Sequence, residues 1–160
     1  MNENELLDRA RKLLQDCTTM SLATAGPEGL WAADVFFAAD GLRGLYFLSS
    51  PSSRHSRDLL NSATVAATVH PEPGADWRAI RGLQIQGDAS VVEADGLEHA
   101  RSIYLAKFPF VASLLKPDSE IAAKTSGTRF FQVRVRRLYL VDNSLGFGTR
   151  LEIDLTTTEG

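Results

Sequence analysis

The sequence predicts a mainly β domain of the α+β class, a small six-stranded antiparallel barrel with helices at its margins. Six segments alternate apolar and polar residues at the period of a strand. The links among the first three are turns of a few residues, too short for the crossover that a parallel pair needs. Two stretches with apolar residues at helical spacing flank these segments. At 160 residues the chain makes one domain, 1–160. A chain of this length buries roughly 68–70% of its unfolded surface, enough for a core without disulfide or metal.

The first helix covers residues 1–17. Leu6, Leu7, Ala10, Leu13, Leu14 and Cys17 recur at helical spacing, and Asn2 with Glu5 has the spacing of a capping box. The period then changes to two. Met20, Leu22 and Thr24 alternate with polar or small neighbours up to the turn "AGPEG", a second strand is "LWAADVFFA", and "DGLRG" turns the chain into a third, "LYFLSS". After the basic segment "SSPSSRHSRDLL", "TVAATVH" reads as a fourth strand and "RGLQIQGDASVVE" as a long fifth. "DGLEHARSIYLAKF" opens with Asp95 and Glu98 in capping-box spacing and is a helix ended by Pro109, with a helical turn "FVASLL" after it. "KPDSEIAAKTSG" is expected to be a mobile loop. The sixth strand, "RFFQVRVRRLYLVD", shifts phase at Arg136 and Arg137 as a bulge would make it do, and residues 152–160 are expected to form a flexible tail.

Composition narrows the function. A net charge of -3 and a pI near 5.6 argue against a broad nucleic-acid footprint and leave room only for a local cationic pocket. Cys17 is the only cysteine, so no intrachain disulfide or multi-cysteine metal site can form. The start "MNENELLD" lacks the plan of a secretory signal, and no apolar run reaches membrane-span length, so a cytoplasmic protein with no membrane partner is expected. "SLLK" at Ser113 to Lys116 matches a serine–lysine dyad pattern, but the chain is too short for the two-domain enzymes that use it. The three histidines lack metal-ligand spacing, and no metal is expected.

The basic segment raises a specific question. Ser52 or Ser53 can cap a helix there, yet Arg54, His55 and Arg57 crowd its start. Each exposed cation at a helix N-terminus costs about 0.3–1 kcal/mol. Two readings fit. Arg54 and Asp58 can form an i,i+4 pair on a solvated face, or an anion such as a phosphate can lie against the turn.

Taken together, the meander, "SSPSSRHSRDLL", "TVAATV" and "IRGLQIQGDASVV" resemble the pyridoxamine-5'-phosphate-oxidase-like split-barrel flavoproteins. The closing "DNSLGFGTR" resembles a small bacterial branch with a Leu-Gly-Phe-Gly motif. The resemblance implies a six-stranded antiparallel split β-barrel that binds FMN as a homodimer, with the cofactor at the subunit interface. Arg54 and His55 stand where that family has its phosphate-binding Arg and Lys, and Ser49 and Ser53 at its Thr/Ser and turn positions. Ala33, Asp34, Val35 and Phe36 correspond to the strand along the isoalloxazine ring. The family's Arg at the start of that strand is here Ala32 or Trp31, its Gln on the fifth strand is Gly82, and its C-terminal substrate-binding Arg and His pattern is absent. The pyridoxal-forming activity is therefore not carried over, and no residue is named as catalytic.

Such a site leaves hydride chemistry to the flavin. Asp34 is either hydrogen-bonded at the barrel mouth or near the ring, where its charge would oppose negative charge on reduced flavin. Phe147, between two glycines, either stacks on the ring or tips a plain turn. Three functions follow: an FMN-dependent oxidoreductase, a non-catalytic binder of flavin, haem or deazaflavin on the same barrel, or a structural dimer.

Overall fold

The computed structural model describes residues 1–116 and 127–156. The chain runs α1 (Glu3–Asp16), β1 (Thr19–Gly26), β2 (Gly29–Asp40), β3 (Gly44–Ser49), α2 (Arg54–Leu59), β4 (Thr64–Val69) and β5 (Arg81–Val91). It continues through α3 (Leu97–Lys107), α4 (Val111–Leu114), β6 (Arg129–Asp142) and β7 (Arg150–Ile153). Short 3₁₀ turns lie at Trp77–Ala79 and Asn143–Leu145.

The strands are ordered β3-β2-β1-β4-β5-β6-β7, every pair antiparallel, and a further pairing of β3 with β6 closes six of them into a ring. Alternate residues of each strand point inward. Met20, Leu22, Phe37, Phe47, Val69, Leu83, Val133 and Leu138 fill the ring, and α1 lays Leu7, Ala10, Leu13 and Leu14 against it. A second cluster, Ala38, Tyr46, Tyr104, Phe108 and Phe130, fastens α3 to the outside of β2, β3 and β6. The Asn2–Glu5 capping box forms as the spacing predicts.

The phase shift in β6 is a bulge. Gln86 faces Arg137 and Gly87 faces Val135, so Arg136 is the extra residue, and it forms an ion pair with Asp88. Gly87 is required there because a Cβ would stand 2.4 Å from the Arg134 carbonyl oxygen.

Three expectations are corrected. The described residues hold seven strands rather than six, because Arg150–Ile153 adds to β6 opposite Leu138–Val141. Part of the expected tail is instead structured, since Glu152 and Ile153 are strand residues and the Arg43 guanidinium donates to the Leu155 carbonyl, while 157–160 lie outside the described residues. Asp95 does not cap α3. The Gly96 amide closes a turn on the Glu93 carbonyl, so the helix starts one residue later, with Gly96 at the cap. The expected mobile loop lies almost wholly outside the described residues. Among the described residues no helix is long and apolar enough to cross a membrane, and no His, Cys, Asp and Glu group could hold a metal.

Candidate functional site

The barrel is split where β2 leaves β3. Their pairing ends at Phe37 and Phe47, though β2 extends back to Gly29 and β3 runs on to Ser49. Continuing that register would set Val35 opposite Ser49. Over this stretch β2 pairs, among the described residues, only with β1. The Phe37 amide bonds to β1 through Thr18, so in antiparallel alternation the backbone groups of Leu30, Ala32, Asp34 and Phe36 point the other way. The Phe36 carbonyl accepts from Tyr104 Oη at 3.4 Å, while the other three present an open strand edge. Burial pushes the Tyr104 hydroxyl up to about 12, so it stays a proton donor.

The turn after β3 gathers three serines and a histidine. Ser49 Oγ lies 2.6 Å from His55 Nε2 and 3.0 Å from Ser53 Oγ, and it accepts from Ser56 Oγ at 3.1 Å. Ser53 is the N-cap of α2 and lies 3.2 Å from the same imidazole nitrogen. Burial lowers the His55 pKa from its ordinary value, with the Asp58 charge opposing only in part. At neutral pH the ring is therefore uncharged and serves as a hydrogen-bonding group. Burial thus works against the positive charge that the sequence suggested for it.

Arg54 carries the charge here. Its guanidinium lies over Trp31 at 4.4 Å and donates to the Glu28 carbonyl at 3.2 Å. Its Nε is fully buried and has no acceptor among the described residues. The Arg54–Asp58 pair of the solvated-face reading does not form among the described residues. Asp58 turns inward and accepts from buried Thr24 Oγ1 at 2.8 Å, in a space that exists because residue 26 is glycine. A Cβ on Gly26 would stand 1.9 Å from the Asp58 carboxylate. Because α2 has six residues, its aligned dipole is small, and the side chains rather than the helix end define the site.

The fold thus brings Ser49, Ser53, Arg54 and His55 together, with Ala33 to Phe36 on the neighbouring open strand. Asp34 accepts from Ser21 Oγ at 2.5 Å across β1 and β2, and Phe36 packs its exposed ring edge-on against Phe108. Val35 is buried and Ala33 half-buried. Phe147 is elsewhere. Ser49 pairs with Arg129 at the start of β6, whereas Phe147 lies beyond Asp142 at its end, against Trp77. Two participants were missed from sequence. Ser56 carried a signal in its three-residue spacing from Ser53; Trp31 carried none that linked it to Arg54.

Residues 6–142 match the family model described as pyridoxamine 5'-phosphate oxidase. A UPF0306 protein of Serratia proteamaculans is 26% identical over 152 residues, which cover 94% of this chain and 96% of that one. Among solved structures, a haem-binding protein of Mycobacterium smegmatis superposes with a TM-score of 0.72 at 24% identity over 91% of this chain, which spans 56% of that protein. An FAD-binding protein of Mesorhizobium loti superposes with a TM-score of 0.61 at 16% identity, covering 81% of this chain and 89% of that one.

Proposed function

The chain belongs to the pyridoxamine 5'-phosphate oxidase family, and on that premise we propose that it is an FMN-binding oxidoreductase that works as a homodimer, with the cofactor at the subunit interface. The observation that carries this reading is the buried Arg54 Nε, a charged donor without an acceptor among the described residues, in the same Ser49–Ser56 segment that gathers three serine hydroxyls. An unpaired buried donor of this kind costs about 1–3 kcal/mol, and a phosphate oxygen removes that cost.

The residues divide the work. Arg54 and the hydroxyls of Ser49 and Ser53 hold the phosphate, and the Trp31 ring keeps the guanidinium in place. His55 at neutral pH donates or accepts through Nε2 and gains a proton when an anion sits beside it. Backbone groups of Leu30, Ala32 and Asp34 offer donors and acceptors for a heteroaromatic edge. The Asp34 carboxylate on the same strand disfavours further negative charge nearby. FMN, when bound, supplies the two-electron chemistry.

A phosphate-bearing deazaflavin would use the same donors. Haem gains no support from this cluster, where His55 Nε2 is shared by Ser49 and Ser53. The deciding measurement is a titration of the purified chain with FMN and with riboflavin, followed by anaerobic reduction of the bound flavin. Saturable binding with a clear preference for FMN and reversible bleaching support the reading. Equal or absent binding of both overturns it.

A further inference from the structure

A cavity of about 520 Å³ lies between α1, the segment around Pro71 to Ala79 and the end of β6, and none of the Ser49 cluster lines it. Its floor is apolar, with Leu13, Cys17 and Leu140. Most of its charges are already paired. Both oxygens of Asp142 are taken, one by Arg9 at 2.5 Å and the other by the amide and hydroxyl of Ser144. Burial raises the Asp142 carboxyl, but these hydrogen bonds and the Arg9 charge outweigh it and hold it below its ordinary value. Lys12 is paired with Asp16 at 2.7 Å.

Two opposite charges remain. Arg81 stands directly across from Asp142 in the β5–β6 register, the natural place for a cross-strand ion pair, yet Asp142 is committed elsewhere. Arg81 has no side-chain hydrogen bond or ion pair among the described residues, and neither has Glu72 on the facing loop. Arg81 lines the cavity together with Cys17, Arg78 and Glu72. Arg78 lies at the same rim, over Trp77 at 4.7 Å, and reaches Asp76 only at 3.9 Å.

A bare anion in this cavity would meet Arg81 but face the Glu72 carboxylate, and a bare cation would meet the reverse. Only a ligand with both charges pairs both groups when it displaces their water. We infer that this cavity binds a small zwitterion, its carboxylate or phosphate on Arg81 with Arg78 beside it, and its ammonium on Glu72.

The test uses the full chain carrying Arg54→Ala, so that phosphate held by the Ser49 cluster does not confuse the result. O-phosphoethanolamine and β-alanine are titrated by calorimetry against the half-probes inorganic phosphate, acetate and ethylamine. At least one zwitterion should bind about tenfold tighter than its own half-probes, and the stronger of the two identifies the anion. Adding Arg81→Ala should abolish binding, and adding Glu72→Gln should remove the advantage over the anionic half-probe alone. Both side chains are exposed, so neither substitution threatens the fold. Zwitterions that bind no better than phosphate or acetate, or binding that survives Arg81→Ala, overturn the assignment.

Discussion

Arg54 lies over Trp31 with its guanidinium carbon 4.4 Å from the ring centroid, and its buried Nε meets no acceptor among the described residues. The stacking fixes a charged donor that nothing on the described chain satisfies. If FMN phosphate is that acceptor, Arg54→Ala removes a charge-assisted hydrogen bond worth about 1.5–3 kcal/mol. FMN affinity should fall roughly tenfold to a hundredfold while riboflavin affinity stays level. Calorimetric titration of both ligands against both proteins checks this. Parallel losses for the two would place the phosphate elsewhere.

His55 sets a pH dependence of stability whose sign is fixed by burial. Its folded pKa lies below the unfolded value of about 6.5, so between the two the unfolded chain binds more protons. The contribution is fully present above about 6.5 and is lost as pH falls toward the folded pKa. Urea midpoints of the free protein should therefore drop between pH 7.5 and 5.5 more steeply than those of His55→Gln. Identical slopes for the two proteins would show that the imidazole is not desolvated by the serine cluster.

The Asp58 carboxylate occupies the space that a side chain at residue 26 would need. Gly26→Ala should destabilise the fold by about 1–3 kcal/mol, because it pushes a buried carboxylate off its bond to Thr24. Asp58→Ala removes the collision, so the double variant should lose less than the sum of the two single losses. Strict additivity in urea unfolding would mean that α2 shifts as a whole to make room.

What could be read from the sequence was what neighbours in the chain decide. The Asn2–Glu5 cap, the alternation of β1 to β6 and the bulge at Arg136 are local patterns, and each formed. Arg54 and Asp58 had the right spacing for a surface pair. The hole at Gly26 and the hydroxyl of Thr24 gave Asp58 a buried partner, and neither is a local feature. The stacking of Arg54 on Trp31 likewise depends on the packing of α2 across the β1–β2 hairpin. β7 was missed because "RLEI" is four residues that run into a polar tail; only its pairing with Leu138–Val141 makes it a strand.

Phe147, between two glycines, either stacks on a cofactor ring or tips a plain turn, and its position in the fold makes the choice testable. It is 83% exposed and lies beyond the far end of β6 from its own Ser49 cluster. Leu30 on the open edge of β2 is equally exposed at 83%, and Phe36, further along the same strand, is exposed at 51%. In a two-fold dimer, a residue from one such patch meets the other patch on the partner, and the contact occurs twice. Phe147 of one subunit would then complete the site that holds Arg54 of the other. Subunit mixing tests this directly. Arg54→Ala and Phe147→Ala homodimers should each bind FMN weakly at every site. In a mixed dimer, one site carries both defects and the other carries none. Random mixing of equal amounts should thus restore full affinity at about a quarter of all sites. If Phe147 serves its own chain, every mixed site keeps one defect and no high-affinity fraction returns. That outcome, or a monomer by sedimentation at micromolar concentration with FMN present, would remove the composite site and leave Arg54 and the serines to hold the cofactor alone.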